Sequence, residues 1–127
     1  MKRTLFRLLA LTLLASLSAW ASPLGTLIKQ ERKLSAQIKN AYIRGEDPSP
    51  YYNRLIQVHR TLLQAPLNRE MKNMAVFLSY CLGDLRQALT APRTRANAEI
   101  VSDLDQAIQE GTTYIGSNLS GHTLASR

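Results

Sequence analysis

The sequence predicts an all-α protein: a small up-down-up-down four-helix bundle that follows a cleaved signal peptide. Three observations predict it. Apolar residues recur at alternating three- and four-residue spacing along four separate segments, the period of a helix with one buried face. Short turns containing glycine, proline or serine separate the segments, and short connections make successive helices antiparallel neighbours. The N-terminus has the three-part layout of an export leader. No strand-like alternation of useful length occurs, and no internal period suggests a solenoid.

The leader is predicted over residues 1–21. Lys2, Arg3 and Arg7 supply its basic start, and a mostly apolar run extends from Leu8 to Leu17. Small residues then end in Ala19-Trp20-Ala21, an A-x-A cleavage site, so the cut falls between Ala21 and Ser22. The uncharged stretch from Leu8 to Pro23 falls short of the about 18 apolar residues of a spanning helix, and Thr12, Ser16 and Ser18 dilute it. Pro23 is expected to interrupt any helix passing from leader to body. No cysteine lies at the junction, which excludes the lipid anchor of a bacterial lipoprotein. These features predict a periplasmic or secreted protein with no membrane span once the leader is removed.

The chain from Ser22 onward is the size of one domain, and chains of that size bury roughly 65% of their unfolded surface. Cys81 is the lone cysteine, so no internal disulfide can form and stability must come from packing. Without Lys2, Arg3 and Arg7 the formal charge falls from +7 to +4, weak grounds for a nucleic-acid partner. Its placement is more informative than its total. From Ser22 to Arg95 twelve Lys or Arg face five Asp or Glu, whereas Ala96 to Ser126 holds four acids and no base. That asymmetry predicts three basic helices and an acidic fourth.

The first helix is expected from Leu24 to Arg44, its stripe formed by Leu27, Glu31, Leu34, Ile38 and Ala41 and widened by Leu24, Ile28 and Tyr42. Gly45 suits the position just past its end, where a left-handed conformation is needed. "EDPSP" is the turn, with Ser49 as cap and Pro50 at the first helical position of a second helix that runs to Gln64. Its inner stripe is Tyr52, Leu55, Ile56, His59, Leu62 and Leu63, and Pro66 ends it. Asn68 caps a third helix, the strongest pattern in the chain: Met71, Met74, Ala75, Leu78, Cys81, Leu82, Leu85, Ala88 and Leu89. "TAPRT" is the next turn, with Thr94 as cap. The fourth helix carries Asn97, Val101, Leu104, Ile108, Gly111 and Ile115, placing the bundle at residues 22–116. Residues 117–127 are polar without periodicity and are predicted to form a disordered tail. Asn118-Leu119-Ser120 matches the glycosylation triplet, which matters only in a eukaryotic secretory route.

Three groups of residues are candidates for function. His59 lies within an apolar stripe. It is either a hydrogen-bonded core histidine or a haem or metal ligand assisted by Met71 or Met74; Glu31, the acid within the first helix's stripe, is a candidate partner for His59, with Arg54, Arg86 or a place at the edge of the interface as its alternatives. Ligand counting favours the core histidine, because His122 is the only other histidine and no CxxCH is present. No cofactor or metal is therefore predicted. Cys81, on the inner face of the third helix, is expected to behave as a small buried hydrophobe, and a disulfide-linked homodimer is its alternative. Arg44, Arg54, Arg86, Arg93 and Arg95 are expected near one end of the bundle, where the first and third turns meet. Arginine is the side chain best suited to a bidentate grip on carboxylate or phosphate. The alternative is a solvated rim neutralised by Glu46, Asp47, Asp84 and Glu99.

Catalysis has little support: there is no GxSxG, no Cys–His nucleophile pair and no paired carboxylates on an apolar face. The predicted function is binding to another macromolecule, in the manner of an immunity protein, inhibitor, adaptor or chaperone. Two alternatives belong to other classes. One is a carrier of a cofactor or small anion, and the other is an all-helical enzyme using Glu31 and the arginines.

Overall fold

The computed structural model describes the backbone of residues 2–125 and the side chains of residues 23–119. It is a bundle of four helices, with no strand among the described residues: α1 (Lys2–Ile43), α2 (Ser49–Gln64), α3 (Arg69–Thr90) and α4 (Arg95–Ala125). Each helix packs against its neighbours in chain order, and α1 also packs against α4, which closes the ring. The interior is built from the predicted stripes. Ile38, Leu55, Leu62, Met71, Leu78, Leu82, Leu85, Val101, Ile108 and Ile115 are fully buried. Among the described residues no helix is long and apolar enough to cross a membrane.

Local sequence chemistry sets the turns. Gly45 takes φ +76°, a left-handed conformation that side-chain-bearing residues rarely adopt. Its N–H donates to the Tyr42 carbonyl at 3.2 Å and the Glu46 N–H to the Ala41 carbonyl at 2.9 Å, the paired bonds of a Schellman ending. Ala65 and Ala91, each followed by a proline, are extended (ψ 156° and 161°) and terminate α2 and α3. Asn68 Oδ1 accepts from the Met71 N–H at 2.8 Å, and Thr94 Oγ1 accepts from the Asn97 N–H at 3.1 Å, so both predicted caps are formed.

Three expectations are corrected. The helix continues through Pro23 instead of beginning after it. Proline removes one rung of the ladder, but the rungs on either side remain available. The cleavage site at Ala21–Ser22 lies outside the residues whose side chains are described. Ser49 is the first residue of α2, not its cap, and its N–H donates to Asp47 Oδ1 at 3.0 Å, so the acid two residues earlier ties down the helix start. Finally, α4 continues past Ser117 to Ala125. Leu119 extends the Ile115 register by one turn and packs partly buried against the core, contacts the polar composition obscured.

Candidate functional site

A polar network lies inside the bundle, and its first member is Glu31. This carboxylate is fully buried on the inner face of α1. Its Oε1 lies 2.7 Å from His59 Nδ1 on α2, and His59 Nε2 lies 2.7 Å from Ser79 Oγ on α3. The predicted Glu31–His59 pair is therefore formed, and Ser79 extends it to a third helix. Either protonation state of the imidazole keeps the chain bonded. With Nδ1–H alone, Nε2 accepts from the Ser79 hydroxyl. With both N–H groups present, Nε2–H donates to Ser79, whose proton turns to the Ala75 carbonyl at 3.2 Å.

Carboxylate, imidazole and hydroxyl in this order resemble a nucleophile-activating triad. The setting differs. Ser79 is in the middle of α3, where neighbouring N–H groups serve the helix ladder and cannot converge on an oxyanion. Both His59 nitrogens are also occupied, which leaves neither lone pair open to a metal or haem. Met71 is buried in the core, and Met74 packs near Gly111. Among the described residues no three His, Cys, Asp or Glu side chains gather as a metal site. The network thus joins three helices through the core. A second polar seam joins α1 to α4: buried Asp105 accepts from Ser35 Oγ at 2.7 Å and pairs with Lys39 Nζ at 3.3 Å.

The five arginines separate into different roles. Arg93 organises the end of the bundle: its Nη1 donates to the Tyr42 carbonyl at 2.9 Å, its Nη2 to the Glu46 carbonyl at 2.6 Å, and its guanidinium lies 4.8 Å from the Tyr42 ring centroid. The first and third turns do meet there. Arg44 and Arg95 form exposed pairs with Glu46 (4.0 Å) and Glu99 (3.8 Å), contacts of little energetic weight. Arg54 is exposed on α2 and lines no groove described here. Arg86 does line one, a cavity of about 820 Å³ between α2 and α3 that it shares with Arg93 and with Arg60. Arg60 was not among the predicted residues. Its position four residues after Ile56 and eight after Tyr52, both on the α2 stripe, was the available signal.

Asp47 also borders this cavity, and hydrogen bonds from Ser49 hold its carboxyl below the usual carboxylate range, with Arg93 reinforcing the effect. Cys81 is buried and free, and burial pushes its thiol up, with Asp84 adding to the shift. A raised thiol pKa removes thiolate, the reactive species.

Sequence patterning alone did not identify the outer surface of α3 and α4. Tyr80 is 71% exposed and Phe77 51%, and Val76, Ile100 and Tyr114 are also large exposed apolar residues. Phe77 and Asp84 are seven residues apart and share a face of α3, while Ile100, Ala107 and Tyr114 share a face of α4 by the same spacing. Asp84 and Ile100 both line a shallow groove between the two helices, so these faces adjoin. Comparison with protein-family models, with curated proteins and with solved structures gives no match for this chain.

Proposed function

We propose that this is an exported protein, cut after Ala21, whose up-down-up-down bundle works by binding another macromolecule in the periplasm or outside the cell. The observation that carries this reading is the exposure of three large apolar side chains on adjoining helices, Phe77 and Tyr80 on α3 and Ile100 on α4. Exposed apolar patches mark interaction sites, and aromatics are enriched where proteins meet.

The charge around these side chains defines their occupant. Asp84, Asp103 and Glu110 are exposed, Glu99 is already paired with Arg95, and no lysine or arginine occurs between Ala96 and Ser126. Arg86, the one base in the second half of α3, belongs to the groove on the α2 side. Exposed apolar side chains with an acidic border fit a protein segment that pairs apolar residues with lysine or arginine, such as a basic amphipathic helix.

The test combines Phe77→Ser and Tyr80→Ser in one chain. Exposed positions change stability by only about 0.5 kcal/mol, so the variant remains folded. A partner held by the wild type, crosslinked to α3 through a lysine- or arginine-bearing segment, should be released by the double substitution. Retention of that partner, or contact through an acidic segment, would overturn the reading.

A further inference from the structure

The groove between α2 and α3 lies on the other side of α3 from the partner face, and it carries the opposite charge. Arg60 enters it from α2, Arg86 from α3, and Arg93 from the turn that follows. Asp47 is the only acid among its lining residues. That acid is already engaged, with its carboxylate accepting the Ser49 N–H. Arg93 is held in place by two neutral carbonyls, and Asp47 lies near enough to offset part of its charge. Arg60 and Arg86 have no ion pair or hydrogen-bonded carboxylate among the described residues. Three cations therefore line one concavity whose lining holds a single acid, which leaves Arg60 and Arg86 as its unpaired charges. A merely solvated rim would be expected to distribute its charges among neighbours, as Arg44 and Arg95 do with Glu46 and Glu99.

The rest of the lining is suited to an organic ligand. Ile56 and Leu89 are partly buried and pack against the core, giving the groove an apolar floor. Tyr52 adds a ring whose hydroxyl donates to the Leu82 carbonyl at 3.0 Å and so stays in position. A cavity of about 820 Å³ lies within the size range of small-molecule sites, roughly 300–1,000 Å³. Arginine grips phosphate through two parallel N–H donors, and a dianion matches the surplus charge better than a single carboxylate.

We propose that the α2–α3 groove binds a small phosphate monoester, its phosphate held by Arg86 and Arg60 and its apolar body lying over Ile56 and Leu89. This site is independent of the partner face, so either proposal can fail without the other. It also revises the predicted basic cluster: Arg60 joins it, and Arg44, Arg54 and Arg95 leave it.

The test measures binding of phenyl phosphate by calorimetry to the full chain and to Arg60→Ala, Arg86→Ala and Arg95→Ala. All three residues are exposed, and circular dichroism checks that each variant is folded. Phenyl phosphate should bind the wild type and raise its Tm. Loss of Arg60 or Arg86 should weaken binding about tenfold or more, the loss expected for a charge-assisted contact, and Arg95→Ala should leave it unchanged. Equal weakening in Arg95→Ala would mean diffuse attraction and overturn the proposal, as would no binding. Inorganic phosphate should bind more weakly than phenyl phosphate, and equal affinity would remove the role of the apolar floor. Phosphatidate vesicles form the last arm: capture by vesicles without binding of soluble phenyl phosphate would assign the groove to a membrane surface and contradict the small-ligand site.

Discussion

At the scale of single residues, the strongest constraint is the buried Glu31–His59–Ser79 chain. A fully buried carboxyl group is tolerated in a core only when it is hydrogen-bonded, and His59 Nδ1 at 2.7 Å supplies the partner. Its second oxygen and the Tyr42 hydroxyl are buried without a hydrogen-bond partner among the described residues, so the network has little spare capacity. Removing one partner should therefore cost much more than removing both. His59→Leu alone should destabilise by about 1–3 kcal/mol, because it leaves the buried Glu31 carboxyl without its hydrogen-bond partner. Adding Glu31→Leu should recover much of that loss, since Ser79 can still donate to Ala75. Urea denaturation of the four proteins in this cycle measures the coupling, and additive losses would show that the pair is not a unit.

Asp47 acts at the same scale in a different environment. Its folded pKa lies below the ordinary 3.8 because its ionised form is hydrogen-bonded at Ser49 and lies near Arg93. A depressed carboxyl pKa contributes stability that is present above the unfolded value and lost as pH falls through the folded one. The first turn of α2 should thus loosen in the acid range below 3.8. Amide chemical shifts of Ser49 and Tyr51 should follow the Asp47 titration, and Asp47→Ala should abolish that step. A step that survives the substitution would assign the transition to another group.

At the scale of helices, most boundaries could be read from residues with one clear conformational role. Gly45 needs its left-handed φ, Pro66 and Pro92 force the residues before them into extended backbone, and Asn68 and Thr94 supply side-chain acceptors. Where several roles compete, composition was a poorer guide. Pro23 does not stop α1, and the polar residues after Ser117 did not outweigh Leu119 packing on the core. Buried Ser35, Asp105 and Thr112 escaped the apolar stripes because they are polar, yet each bonds inside the bundle: Ser35 donates to Asp105, and Thr112 donates to the Ile108 carbonyl. A stripe of apolar letters cannot distinguish a satisfied buried polar group from a solvated one.

At Gly111, α4 lies close against the side chains of α3. A Cβ there would lie 2.7 Å from Leu78 Cδ2 and 3.2 Å from Met74 Sδ, and Leu78 is fully buried. Gly111→Ala should gain about 0.5–1 kcal/mol of helix propensity but incur about 1–3 kcal/mol of overpacking, a net loss. Its urea midpoint should fall with m unchanged. A rise would mean that Leu78 has room to rotate away.

At the scale of the whole molecule, the uneven charge of the sequence has become a division of surfaces around α3. One side is a groove lined by Arg60, Arg86 and Arg93. The other carries exposed aromatic side chains bordered by Asp84, Asp103 and Glu110. The acidic fourth helix was legible from composition, but the exposed aromatics were not, because Val76, Phe77 and Tyr80 could have been additional core until their exposure was known. The basic end was partly legible: Arg86 and Arg93 are in the groove, but sequence distance could not show which arginines had already found partners. On the proposed function, the α3–α4 face is a partner surface. Native mass spectrometry of wild-type and Phe77→Ser/Tyr80→Ser chains, crosslinked in the native host before purification, is the decisive measurement. The expected result is a chain beginning at Ser22 that carries one protein partner in the wild type and none in the variant. A partner retained equally by both, or a wild-type chain that carries no protein, would contradict it.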